Sequence, residues 1–167
     1  MTSRDGVLVP VLVGVLLGVG ILVILGMTLF SPIGPGFGGR WAGRFSSNGE
    51  MIYFTGINDR GERIPFTGGP FWLRMHGGGC ASCHRPDGRG GPVMMTNEIA
   101  PDIRYSHLVE EEHGEGEEHP PYTDELIKQA ITQGLDPGGN PLSPTMPRWR
   151  MSERDLNDLI EYLKTLK

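Results

Sequence analysis

The sequence predicts an all-α fold: a small helical domain over residues 68–167, behind a single N-terminal transmembrane helix within residues 1–30 and a spacer with a short β-hairpin-like extension over residues 31–67. Three observations predict it. Residues 6–30 carry no charged side chain, two stretches of the C-terminal half place their apolar residues on one helical face, and the chain between is punctuated by Gly and Pro, 26 and 14 of 167 residues. The length suits one compact domain with an appendage and excludes a large multidomain enzyme. Two cysteines cannot build a disulfide framework. A net charge of -5 with a pI near 5.5 lacks the basic face of a nucleic-acid binder, so no nucleic acid is expected as a partner.

Residues 6–30, as a helix, extend roughly 37 Å, enough to cross a bilayer core of about 30 Å. A cleaved signal would have a shorter apolar core, of about 7–15 residues, and then a small-x-small site. No cysteine follows the run for lipid attachment, so the helix itself is the expected anchor, spanning residues 7–30. Pro10 falls in its first turns, and Pro32, Gly34, Pro35 and Gly36 halt it. Gly14 and Gly18 form a G-x-x-x-G pair, a surface that lets a second membrane helix approach. Arg4 is offset by Asp5, and Arg40 and Arg44 follow the span, so charge alone does not orient it.

Residues 31–49 read as a Gly-, Pro- and Ser-rich connector, with Phe37, Trp41 and Phe45 suited to a membrane interface. Residues 50–64 read as a hairpin-like flap: Ile52-Tyr53-Phe54-Thr55 favours strand, Asn58-Asp59-Arg60-Gly61 supplies a turn, and Arg63-Ile64 returns. A short helical approach is expected at 70–77, with Phe71 and Leu73 available for packing. Thr123 caps a helix with Asp124 and Glu125 in its first turn, Leu126, Ile127, Ala130 and Ile131 on one face, and Gly134 as its stop. Ser152 and Asp155 form a capping-box-like start for the last helix, whose Leu156, Leu159, Ile160, Leu163 and Leu166 make a packing stripe.

The segment that carries chemistry is Cys80-Ala81-Ser82-Cys83-His84. C-x-x-C-H is the attachment signature of c-type haem. Two intervening residues place both sulfurs under the two vinyl groups of one porphyrin, and the adjacent histidine offers its imidazole to the iron. The same cysteines read alone would suit a thioredoxin-like redox pair or half of a zinc site, but the first wants a βαβ setting and the second another ligand pair. Neither setting is visible.

A thioether is the expected sixth ligand. Met146, 62 residues beyond His84, lies in Pro144-Thr145-Met146-Pro147, where prolines stiffen an extended loop. Met94 and Met95 read instead as side chains packed over the porphyrin, and Met151 as the approach to a helix. His76, His107, His113 and His119 are set aside as ligands: His76 leads into three glycines, and His113 and His119 belong to the acidic tract 110–119. That tract reads as a solvated loop, with a weak divalent-metal site as its less favoured reading.

These motifs in this order, with Asp87-Gly88-Arg89-Gly90-Gly91 after the attachment site and Met146-Pro147-Arg148-Trp149 before the last helix, resemble monohaem class I cytochromes c over about residues 68–167. The resemblance implies a small helical fold around one covalently attached haem c, first and last helices crossing, and His84 and Met146 as the metal ligands from opposite faces. It also implies exchange of single electrons rather than catalysis, and a domain on the periplasmic side of a bacterial cytoplasmic membrane. The acidic tract, the glycine triplet before Cys80 and the hairpin-like extension depart from the family pattern.

A relay subunit of a respiratory or related membrane oxidoreductase complex is the expected role, its partners the membrane-embedded subunits of that complex and a haem or other redox protein. A tethered but freely diffusing carrier is the near alternative, and a haem sensor or enzyme with an open sixth position a more distant one. Six glutamates lie between Glu110 and Glu118, so the other residues sum to one positive charge against the net -5. Arg74, Arg85, Arg89, Arg148 and Arg150 lie near the attachment and ligand segments and are expected to form a basic rim for an acidic partner.

Overall fold

The computed structural model describes residues 43–109 and 119–167. All of them fall within one unit, Phe37–Lys167. The expected span at 7–30, with its G-x-x-x-G pair, and most of the acidic tract lie outside the described residues. Among the described residues no helix is long and apolar enough to cross a membrane.

The first described helix, α1 (Asn48–Thr55), corrects the hairpin reading. Ile52, Tyr53, Phe54 and Thr55 have strand-favouring side chains, but the ends of the segment carry helix signals. The Ser47 hydroxyl accepts from Glu50 N at 3.1 Å, and Gly56 at φ 65 closes the last turn by donating to the Ile52 carbonyl. Packing then decides: Met51, Ile52 and Tyr53 are buried in the core. The turn was read correctly. Gly61 N donates to the Asn58 carbonyl, and Ile57 and Arg63 form an antiparallel bridge around it.

Three short pieces follow. β1 (Phe66–Thr67) leads to α2 (Phe71–His76), which buries Leu73 but leaves Phe71 68% exposed, so Phe71 does not pack as expected. α3 (Ala81–His84) is a single turn made of the C-x-x-C-H segment itself. β2 (Gly91–Pro92) and β3 (Ile99–Ala100) pair antiparallel, with Gly91 opposite Ala100.

α4 (Tyr105–Leu108) and α5 (Asp124–Gln133) come next, the latter capped by Thr123 and ended by Gly134 at φ 71, as the sequence predicts. β4 (Arg148–Trp149) returns to pair with β1, Phe66 opposite Trp149, and their rings lie 4.7 Å apart. The last helix, α6 (Glu153–Leu163), buries Leu156, Leu159, Ile160 and Leu163 of the predicted stripe, while Leu166 lies beyond the helix and is half-buried. Each such side chain contributes about 1.5–3 kcal/mol on burial.

α1 and α6 cross at Gly49, where an added Cβ would run into the Asp158 carbonyl, so only glycine permits this approach. Beside the crossing sits Asp155, 2% exposed. It accepts from Asn48 Nδ2 at 3.0 Å, Arg60 at 2.9 Å and the Ser152 hydroxyl at 2.8 Å. Burial opposes its ionisation, but these three donors outweigh burial and hold its carboxyl below the usual range. Residues 48–60 therefore belong to the same core as the last helix, upstream of the boundary at 68 that the sequence suggested.

Candidate functional site

Beneath α2 and α6 lies a cavity of about 810 Å³. Its apolar walls include Leu73, Ile127, Ile131, Trp149, Leu159 and Leu163, drawn from four separate segments. Cys80, Cys83, His84 and Met146, the four residues singled out in the sequence, all line it.

The turn of α3 sets the first three. His84 N donates to the Cys80 carbonyl at 2.9 Å and Cys83 N to the same oxygen at 3.1 Å, which puts the two sulfurs on one side of a single turn. No disulfide joins them. Burial pushes Cys80 up to about 12 and raises Cys83 as well, so both are neutral thiols at physiological pH. A thioredoxin-like pair needs the opposite, a thiol whose pKa is depressed.

His84 is 6% exposed, and its Nδ1 lies 2.9 Å from the Pro101 carbonyl. The Nδ1–H donates there, so the lone pair is on Nε2, the arrangement a metal-ligating histidine adopts. Burial also lowers the histidine's pKa and keeps the ring neutral. The next residue, Arg85, has φ 64 and ψ 166, a region that suits glycine. Its carbonyl is held by the Tyr53 hydroxyl at 2.6 Å, a tie from α1 to the ligand segment that the strand reading of Tyr53 concealed.

Met146 is placed by a different set of contacts. Its amide donates to the Ser143 carbonyl at 3.0 Å, and Gly69 N holds the Pro144 carbonyl at 3.0 Å. Arg148, expected on a basic rim, is instead spent within this loop. Its guanidinium donates to the carbonyls of Ser143 (2.8 Å), Leu142 (2.7 Å), Gly134 (3.3 Å) and Met146. Gly134 leaves room for it, since a Cβ there would collide with the guanidinium. Arg89 is bound to the Lys167 carbonyl at 3.1 Å and Arg74 to the Gly68 carbonyl at 3.0 Å, while both remain exposed along with Arg85 and Arg150.

Of the described methionines, Met146 alone lines the cavity. Met94 and Met95 are 60% and 84% exposed on the turn between β2 and β3, so the expectation that they pack over a porphyrin is corrected. Met95 holds φ 60 in that turn. His107 and His119 also line the cavity; His76 does not. His119 stacks edge-on against Tyr122 at 5.3 Å, and its Nδ1 is 3.0 Å from the Pro120 carbonyl. Glu98, which no motif marks, also lines the cavity and bonds to Ser143 and Thr145.

A half-open, mostly apolar cavity, two neighbouring neutral thiols and a buried imidazole with its Nε2 uncommitted fit a thioether-linked haem. The family model for cytochrome c matches residues 75–167. The chain belongs to the cytochrome c family. No curated protein and no solved structure matches it. Cytochromes c carry covalently attached haem c, and Cys80 and Cys83 have the attachment spacing, so this cytochrome c domain is an electron-transfer module. α1 lies upstream of the matched residues, yet it supplies the Tyr53 tie and the partner surface for α6.

Proposed function

We propose that this chain is a membrane-anchored monohaem electron carrier, holding its cofactor by thioether bonds to Cys80 and Cys83 and its iron between His84 Nε2 and the Met146 sulfur. The observation that carries the ligand set is that one methionine among those described reaches the cavity into which the fixed imidazole of His84 faces. When bound, haem c supplies a one-electron iron couple. The residues of the chain do the rest. The Pro101 carbonyl prevents the His84 ring from turning, Arg148 and Gly69 fix the Met146 loop, and Leu73, Ile127, Trp149 and Leu159 keep water from the porphyrin face. Two protein ligands leave no open position for oxygen or peroxide, which favours electron transfer over catalysis, and a thioether raises the potential above that of a second imidazole.

The apolar run at 7–30 supports a tethered carrier, with residues 31–167 on the periplasmic side and residues 1–6 in the cytoplasm. A short tether raises the effective concentration of membrane neighbours, so the favoured role is a relay subunit of a respiratory or related membrane oxidoreductase complex. Exposed Arg74, Arg85, Arg89 and Arg150 suit an acidic redox partner. Purification from native membranes in mild detergent tests this role. Co-purifying subunits, with the haem reduced and reoxidised during turnover, are expected; recovery solely as an isolated monomer indicates the diffusing carrier. One observation favours a second ligand set, since His107 and His119 also line the cavity. In that case replacing both with Gln removes the sixth ligand, whereas Met146→Ala leaves the spectrum as it was.

A further inference from the structure

One side chain, Glu98, links the segment between β2 and β3 to the loop that carries Met146. Glu98 stands immediately before β3 and is fixed by its own backbone, its carbonyl accepting from Val93 N at 2.9 Å and its amide donating to the Thr96 hydroxyl at 3.2 Å. Its two carboxylate oxygens accept from separate residues of the ligand loop, Oε2 from the Ser143 hydroxyl at 2.6 Å and Oε1 from the Thr145 hydroxyl at 2.7 Å. Ser143 Oγ also accepts from Thr145 N at 3.1 Å, so the carboxylate closes a small ring around the residues that precede Met146. Three residues after Glu98 stands Pro101, whose carbonyl holds the His84 ring. The other ties on the loop come from elsewhere: Arg148 from within it, and Gly69 from beside β1.

From this geometry we propose that Glu98 is a positioning residue for the sixth ligand, a strap that couples the segment holding His84 to the loop carrying Met146 and so slows the departure of the methionine sulfur from iron. The inference rests on Met146 being that ligand. Short hydrogen bonds to an ionised carboxylate are the strong kind, and two from one rigidly based group restrict the loop more than either alone. The bonds lie at the surface, where water competes, which limits their effect and suits a ligand loop that opens from time to time.

The test uses the full-length holoprotein in its oxidised form with imidazole as the probe. At saturating imidazole, the observed binding rate is the rate at which Met146 leaves. Glu98→Gln is expected to raise that rate about tenfold, and to increase hydrogen exchange at residues 142–147, with covalent haem content unchanged. Ser143→Ala with Thr145→Val removes the same bonds from the opposite side, together with the bond from Thr145 N to Ser143 Oγ, and is expected to give at least the same increase. The combined variant adds nothing further, because all three changes break one linkage. A rate within twofold of the unmodified protein in both single-sided variants overturns the strap, as does an undiminished effect of Glu98→Gln in the Ser143→Ala/Thr145→Val background. If Met146→Ala itself fails to speed imidazole binding, the ligand assignment has failed and the strap with it; acceleration by Met146→Ala but not by Glu98→Gln rejects the strap alone.

Discussion

The two walls of the cavity are built in opposite ways. On the His84 side, five consecutive residues supply two thiols and an imidazole, and one helical turn with one carbonyl positions them. On the Met146 side a single residue offers a thioether, and its placement is assembled from Gly69, Glu98, Gly134 and Arg148. A wall made by local geometry tolerates change elsewhere in the chain. A wall made by distant contacts moves when any of them does, so the Met146 loop is the adjustable side of this cytochrome.

The largest effect expected is on the local wall. Cys80→Ala with Cys83→Ala removes both thioethers, and haem that resists acidified organic solvent in the unmodified protein is then extracted completely. Next comes the floor on which both walls stand. Asp155→Ala leaves Arg60 and Asn48 without their buried acceptor beside the α1–α6 crossing, and chemical denaturation is expected to record a loss of about 3 kcal/mol. Its pH dependence has a definite sign. The folded carboxyl titrates below its unfolded value of about 3.9, so its stabilisation is complete above that pH and is lost as the pH falls further toward the folded value. An acid denaturation curve of Asp155→Asn, compared with the unmodified protein, is expected to converge with it at the low end of that range.

A smaller change separates the walls. Arg148→Lys keeps the charge but cannot span the carbonyls of Leu142, Ser143 and Gly134, since an ammonium lacks the planar fork. It is expected to cost about 2 kcal/mol and to lower the reduction potential by weakening Met146 ligation, leaving covalent haem content intact. The smallest effect has the opposite sign. Arg85→Gly relieves a backbone conformation that costs about 1–3 kcal/mol, part of which glycine returns through its freer unfolded state, so a stabilisation of about 1 kcal/mol is expected in thermal denaturation.

The same contrast governs what could be read from the sequence. Cys80, Cys83 and His84 were legible because their chemistry is contained in five residues, and the helices at 124–133 and 153–163 because their caps and apolar stripes are local signals. Met146 was legible through its flanking prolines. Its supports were not: Arg148 looks like any surface arginine until the loop folds around it, and Glu98 lies 45 residues from Ser143. At 48–55 the strand preference of Ile52, Tyr53 and Phe54 competes with helix signals at the ends, Ser47 with Glu50 three residues on and Gly56 as the stop, and the end signals win. Burial against α6 makes that choice final, and no local pattern records it.

The central claim is that His84 and Met146 complete the coordination of one covalently held haem, and optical spectroscopy of oxidised Met146→Ala beside the unmodified protein tests it most directly. The account predicts that the weak long-wavelength sulfur-to-iron band, present in the unmodified protein, disappears in the variant, and that the reduction potential falls. An identical spectrum and potential in the two proteins would contradict it.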